Sequence, residues 1–353
     1  MSGMPGNHRP HVRMQDVALR AGVSPQTVSN VVNGRTARVS EETRARVIES
    51  ITALGYRVNQ SARSLRRGRT GTVGLGIPTL DSEYYGALAE ALSERFAEQG
   101  LRLVVENTGG AVGAEIESLA TSRLDSYDGF VLALAAGDTD HLVQVDTETP
   151  VVLLGERALS SQFDHVVMDN VGGARQATEL LLRGGARAVV ALGGVDADEE
   201  TMPALRTRGY LEAHHALGVD VDEALLVAST FGIEGGYGGI RRLLEQGRRF
   251  DAVFALTDAS AIGALRALAD AGIRVPEEVQ VIGFDNTRAG RFSVPRLSTV
   301  EPGNAARADS VVELLMSRMR HQDGHLERRV VVHPVTLVER ESTSSPPGGR
   351  ARD

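Results

Sequence analysis

Gln26 and Asn30 stand four residues apart in the stretch SPQTVSNVV. On a helix that spacing is about one turn, so two side-chain amides would share a face and could reach base edges, where Gln and Asn pair best with adenine. Thr27 and Ser29, between them, carry hydroxyls suited to phosphate oxygens. A second group is suited to holding a small polar molecule. Arg206, in ALRTRGY, offers a planar fork of donors that can grip hydroxyls or a carboxylate. Asp258 and Asp285 follow apolar runs, Asp169 lies in MDNVGG, and Tyr84, Tyr85 and Phe231 are aromatic. Each has a plainer alternative: an acid at a strand end often caps a helix, and an aromatic is more often core.

The elements that must position the first group are short helices. Met14, Val17, Ala18 and Ala21 recur at helical spacing, Gly22 and Val23 interrupt, and Ser24-Pro25 opens a second helix with a capping residue and a proline at its first position. Val28, Val31 and Val32 give that helix its apolar stripe. A third helix follows from Ser40, with Glu41 and Glu42 at its positive end, a stripe of Val47, Ile48, Ile51 and Leu54, and Gly55 to end it. This is a helix-turn-helix arrangement, whose second helix enters the major groove of DNA. A plain helical hairpin is the alternative, but charge weighs against it. Residues 1–70 hold twelve Arg against four acidic residues, a net of +8, and the rest of the −8 chain carries −16. A basic module ahead of an acidic body suits a phosphate partner.

From Thr72 onward the pattern alternates. TVGLGI, LRLVVE, GFVLAL, VVLL, AVVAL, AVFAL and VQVIGF are short apolar runs, most with helical stretches between them. That is the signature of parallel strands buried on both faces by helices.

The segment MQDVALRAGVSPQTVSNVVNG, with VSEETRARVIESITALGYRVNQSARSLRRGRTGTVGLGIP after it, resembles the N-terminal region of the lactose and galactose repressor family of bacterial transcription regulators. The resemblance extends over nearly the whole chain. It implies a small all-α helix-turn-helix DNA-binding domain followed by a two-lobed α/β periplasmic-binding-protein-like domain with parallel sheets. It also implies that Pro25, Gln26 and Asn30 read the operator while Thr27 and Ser29 touch phosphate. Many members have Arg where this chain has Asn30, so the preferred base should differ. Arg13 stands where a capping Thr is usual, which leaves the first cap open to question. The stretch NQSARSLRRG, Asn59 to Gly68, resembles the hinge helix that folds in the operator minor groove, where Leu65 would wedge between base pairs. Ala62 and Leu65 at i, i+3 spacing favour that reading over a basic linker. The like charges of Arg63, Arg66, Arg67 and Arg69 favour folding coupled to DNA binding.

The same resemblance places an effector between the lobes. Arg206 matches the arginine that grips it, Asp285 a ligand-binding acid, Asp258 the acid of an N-D or T-D pair, and Phe231 an aromatic that stacks on a sugar face. Tyr84 and Tyr85 open the first helix of the N-lobe, and Asp169 lies near a crossover. The expected organisation is a disordered 1–11, a DNA-binding domain at 12–58, a hinge at 59–69, an effector and dimerisation domain at 70–342, and a disordered tail at 343–353. Within the effector domain the N-lobe is expected at about 72–170 and 301–328, and the C-lobe at about 171–300 and 329–342.

These features imply a cytoplasmic homodimer that binds near-palindromic double-stranded operator DNA and answers to a small molecule, a sugar being the commonest family effector and induction the commoner sign. A purine or another metabolite acting as corepressor is the alternative, because LALAAGD, Leu132 to Asp138, is less polar than a lobe contributing many hydroxyl contacts would need. A small-molecule binding protein without a regulatory role is the other. With no cysteine, thiolate metal sites and disulfides are excluded. No cofactor or metal is expected: His214 and His215 are adjacent and cannot share a helix face, GLGIPT lacks the third glycine of a dinucleotide fingerprint, and no catalytic motif is found. The chain reads as a non-enzyme. ESTSSPPGGRARD has no leucine heptads, so a dimer without a tetramerising helix is expected.

Overall fold

The computed structural model describes residues 12–32, 35–56, 69–135, 142, 145, 147–155, 162–321 and 327–344. The chain divides into two compact units, Met1–Thr70 and Gly71–Asp353. Asn59, Ala62 and Leu65 of the expected hinge lie outside the described residues, as do 1–11 and 345–353.

In the first unit α1 (Met14–Ala21), α2 (Pro25–Val32) and α3 (Glu41–Leu54) pack on one another. The backbone N–H of Arg13 donates to Asp16 Oδ2 at 2.7 Å, the half of a capping box in which the side chain three residues in reaches back. Asp16 thus secures the helix start where the usual threonine is missing. Gly22, at φ 64°, takes the left-handed conformation that ends α1, and two residues later Ser24 Oγ accepts from Thr27 N at 3.1 Å to start α2. Ser40 Oγ does the same for α3, accepting from Thr43 N at 3.3 Å. Val17, Ala18, Ala21, Val28 and Val47 make the core, with Val31, Val32, Ile51 and Leu54 against it. Ile48, expected in the α3 stripe, is instead 48 % exposed. It lies about 100° around the helix from Val47. Ser50 takes a buried place, its hydroxyl donating to Arg46 O at 2.8 Å.

The second unit holds two parallel sheets. The N-lobe sheet has six strands: β1 (Thr72–Ile77), β2 (Arg102–Asn107), β3 (Gly129–Ala133), β4 (Val151–Leu154), β5 (Asp164–Met168) and β11 (Val330–His333), in the order β11-β5-β4-β3-β1-β2. Leu88, Leu92 and Phe96 of α4 (Glu83–Glu98) and Val311, Leu314 and Leu315 of α12 (Asn304–Arg320) cover one face. Gly74 sits where β1 and β3 pack tightly: a Cβ there would lie 2.3 Å from the Phe130 ring. The four inner strands are buried throughout, but the edge strand β2 is only partly covered, unlike the two-faced burial its apolar run suggests.

The C-lobe sheet runs β7-β6-β8-β9, from β6 (Val189–Leu192), β7 (Leu226–Val227), β8 (Ala252–Ala255) and β9 (Gln280–Ile282). One face carries α7 (Asn170–Arg183) and α8 (Met202–Leu217), the other α9 (Ile233–Glu245) and α10 (Asp258–Asp270). A short α11 (Arg288–Phe292) follows β9. An antiparallel pair, β10 (Thr299–Glu301) with β12 (Thr336–Val338), completes the lobe.

The chain passes between lobes three times, after β5, after β10 and after β11. The last passage falls after His333, whereas the sequence reading places it at about 329 and so assigns β11 to the C-lobe. The reason is a buried ion pair. Arg318 at the end of α12 binds Asp164 at the start of β5 through Nε and Nη2 at 2.8 and 2.7 Å, and Arg329 N adds a 2.8 Å bond to the same carboxylate. These bonds hold β11 in parallel register on β5. A second correction concerns the tail. Thr343 and Ser344, expected at the start of a disordered tail, are tied into the C-lobe beside Ser342: Val281 N donates to Ser342 O and Ser342 Oγ to Val281 O, while Ser344 N donates to Gln280 Oε1. Serine and threonine here make sheet-edge contacts, with Ser298 N donating to Ser342 Oγ at 2.8 Å and Thr343 Oγ1 beside Ser298 Oγ at 2.7 Å.

Candidate functional site

On α2, Gln26 and Asn30 share one helix face, as their spacing implies. Pro25 and Gln26 are exposed, and Gln26 Nε2 donates to Asn30 Oδ1 at 3.3 Å across one turn. That bond uses the donor of Gln26 and the acceptor of Asn30, which leaves Gln26 Oε1 as an acceptor and Asn30 Nδ2 as a donor, the two functions complementary to the major-groove edge of adenine. Thr27 also bonds the Ser24 hydroxyl at 3.0 Å, so it helps build the helix start, and Ser29 is half-buried.

In the effector domain the structure brings Arg206 and Asp285 together. Arg206, on α8, is 2 % exposed; its Nε donates to Asn170 Oδ1 at 2.7 Å, its Nη1 to the Leu256 carbonyl, and Nη1 lies 3.7 Å from Asp285 Oδ1. The guanidinium lies over the Phe284 ring, 3.6 Å from its centroid. Asp285 and Asn286 both have positive φ, 124° and 50°, unusual outside glycine and costing about 1–3 kcal/mol each. The neighbours enforce this turn. Asp285 N donates to Val300 O at 2.8 Å, Asn286 N to Thr299 Oγ1 at 3.2 Å, and Arg340 Nη2 to Asn286 Oδ1 at 2.5 Å.

Asp258 belongs to the support of that turn. It is fully buried, and its carboxylate accepts from Thr287 N at 2.7 Å, Thr287 Oγ1 at 3.1 Å and Thr299 Oγ1 at 2.6 Å. Its oxygens are engaged in holding the 285–287 loop. Asp169 likewise takes the plainer role: its Oδ1 accepts from Gly172 N at 2.8 Å and caps α7. The next residue, Asn170, is the one that reaches Arg206. Tyr84 packs against the C-lobe core cluster and accepts a hydrogen bond from Arg307 Nη1 at 2.8 Å, while Tyr85 packs on the N-lobe core. Phe231 is 38 % exposed, its ring lying over Gly193, and its carbonyl accepts from Thr257 Oγ1 at 2.8 Å.

Asn170, Phe284 and Arg307 are additions that the sequence does not single out. Phe284 closes the apolar run VQVIGF, and Arg307, on α12, is 1 % exposed. The only available signal for Asn170 is its place beside Asp169.

The charges set the electrostatics of the cleft. Burial pushes the Asp285 carboxyl up to about 8, against the opposing pull of the Arg206 cation, and burial lifts Asp258 to about 6 despite its threonine donors. A carboxyl raised on folding binds more protons in the folded chain than in the unfolded one. Its contribution to stability is present below the unfolded value and is lost as pH rises through the folded value. The wild-type domain should therefore lose stability relative to Asp285→Asn between about pH 4 and 8. Thermal melts of both proteins across that range, without added ligand, check this: a constant difference in melting temperature contradicts it.

Comparisons with known proteins agree with this architecture. Residues 13–59 match the model of the bacterial regulatory proteins of the lacI family, and residues 178–343 match that of the periplasmic binding protein-like domain. The HTH-type transcriptional repressor PurR of Pectobacterium carotovorum is 32% identical over 339 residues, covering 95% of this chain and 97% of the relative. Among solved structures, a putative transcriptional regulator of the LacI family from Sanguibacter keddieii is 38% identical, with a TM-score of 0.71 over 79% of this chain and 100% of that one. A transcriptional regulator CelR in complex with cellobiose is 30% identical, with a TM-score of 0.69 over 95% of this chain and 100% of that one. The chain belongs to the LacI family: it is a DNA-binding transcriptional regulator with a ligand-binding domain of the periplasmic-binding-protein type. Its relatives are regulators, not enzymes, and no described helix is long and apolar enough to cross a membrane.

Proposed function

We propose that this protein is a repressor of sugar uptake or catabolism genes that binds a near-palindromic operator as a homodimer and releases it when a sugar enters the interlobe cleft. Gln26 and Asn30 read base edges, with Pro25 beside them, and Thr27 and Ser29 contact phosphate. Asn59, Ala62 and Leu65 belong to the segment that enters the minor groove. In the cleft, Arg206 and Asp285 hold the effector, Phe231 offers an exposed ring for a sugar face, and Tyr84 and Tyr85 bring the N-lobe to the ligand. Asp258 holds the Asp285 turn, and Asp169 fixes the start of α7.

The observation that carries this reading is the pairing of Arg206 with Asp285 beside a lobe crossover. A donor fork next to a carboxyl group suits vicinal hydroxyls, which both donate and accept. The effector works by its differential affinity for two lobe arrangements, so operator and sugar weaken each other's binding reciprocally. A second reading, a purine acting as corepressor, draws support from the relative named PurR. Titration calorimetry separates the two: binding of cellobiose or D-ribose without binding of hypoxanthine is expected, and binding of hypoxanthine alone overturns the sugar reading.

A further inference from the structure

Asn170 is held in an unusual way. It is the first residue of α7, directly after the crossover from β5, and is 2 % exposed. Its Oδ1 accepts from Arg206 Nε at 2.7 Å, and Arg has only donors to offer, so the orientation of the amide is fixed. The Nδ2 group therefore faces away from Arg206 Nε. It is buried with no hydrogen-bond partner among the described residues. A buried amide donor left unmatched is costly, and such groups in folded proteins call for an acceptor.

The surroundings indicate what that acceptor is. Arg206 stands between Asn170 and Asp285, making a row of amide, cation and carboxyl built from the start of α7, the middle of α8 and the loop after β9. The row sits where one crossover enters the C-lobe. Asp169, the neighbouring acid, is occupied with capping Gly172 N, so it does not complete the row.

We propose that Asn170 contacts the effector directly, its Nδ2 donating to a hydroxyl or ring oxygen of the sugar that Arg206 and Asp285 hold. This rests on the sugar reading above. Asn170 has two tasks at once: its oxygen orients the Arg206 fork and its nitrogen reads the ligand.

The two tasks can be separated by an isosteric change. Asn170→Asp keeps an oxygen for Arg206 Nε and replaces the donor with an acceptor, whereas Asn170→Ala removes both. Cellobiose and D-ribose are the probes, with affinity read by calorimetry and operator affinity and melting temperature read on the same preparations. If wild type binds one of them, Asn170→Asp should weaken that binding about tenfold or more, with operator affinity and melting retained. Equal binding by wild type and Asn170→Asp, with loss in Asn170→Ala, overturns the proposal, because Asn170 would then act only by positioning Arg206. A crystal structure of the wild-type sugar complex gives a second reading that needs no variant: a sugar oxygen within hydrogen-bond distance of Nδ2 supports the contact, and a water there alone overturns it. If wild type binds neither sugar, the sugar reading fails and this inference falls with it.

Discussion

Arg206→Ala should abolish the effector response while operator affinity stays within about twofold of wild type. Arg206 lies on α8 of the effector unit, and the proposed base-reading residues lie on α2 of the other. Two charge-assisted hydrogen bonds from its fork to a ligand, at about 1.5–3 kcal/mol each, amount to a loss of roughly 100-fold or more in effector affinity. The substitution also removes the stack on Phe284 and the bond to Asn170, and it takes away the cation that opposes the burial of Asp285. Some fall in melting temperature should accompany it, so operator affinity is to be measured well below the melt. An undiminished effector response in a folded Arg206→Ala protein would remove Arg206 from the ligand site.

Asp164→Ala should cause the largest loss of stability of any change considered. The Asp164 carboxylate is almost wholly buried, and its removal breaks its ion pair with the Arg318 side chain, which is 9% exposed. Breaking a buried pair in this way costs about 3–5 kcal/mol. It also frees the Arg329 N–H that starts β11, so the edge of the N-lobe sheet should open first. Burial by itself would raise the Asp164 carboxyl, but the bonds from Arg318 and Arg329 outweigh it and hold it below its ordinary value. A depressed carboxyl stabilises the fold above its unfolded value, and that contribution is lost as pH falls through the folded one. The wild-type advantage over Asp164→Ala should therefore shrink in acid. Urea unfolding at neutral pH and near pH 3 tests both parts; a loss under 1 kcal/mol at neutral pH would contradict the role assigned to the pair.

What could be read from the sequence follows from how local each signal is. The three helices of the first unit announce themselves through Ser24-Pro25, Ser40, Gly22 and Gly55, because caps and turns act within a few residues. Strands β1, β2, β3, β4, β6, β8 and β9 are legible as apolar runs. Strands β5, β10, β11 and β12 are not, because Asp164, His165, Thr299, His333 and Thr336 interrupt the apolar pattern and the strands are held by contacts far along the chain. Asp164 finds Arg318 across 154 residues, and no local pattern reports such a partner. The same limit put β11 in the wrong lobe and Thr343 and Ser344 in the tail. Family resemblance points to Arg206 and Asp285, which the structure brings together, but it does not tell that Asp169 caps a helix while Asn170 turns to the arginine. That distinction depends on which neighbour α7 aims inward, and one residue on a helix changes the direction by about 100°.

The central claim is that one polypeptide couples operator binding to a cleft ligand. The most direct measurement is a fluorescence-anisotropy titration of the full chain on DNA from upstream of its own gene and neighbouring genes, at one fixed salt concentration, with and without a panel of sugars that includes cellobiose and D-ribose. Fixed salt matters because phosphate contacts make affinity strongly salt-dependent. A sequence-specific complex that one sugar releases is the predicted result. A complex that a ligand tightens would reverse the proposed sign of regulation, and salt-sensitive binding without sequence preference, unmoved by any sugar, would contradict the coupling itself.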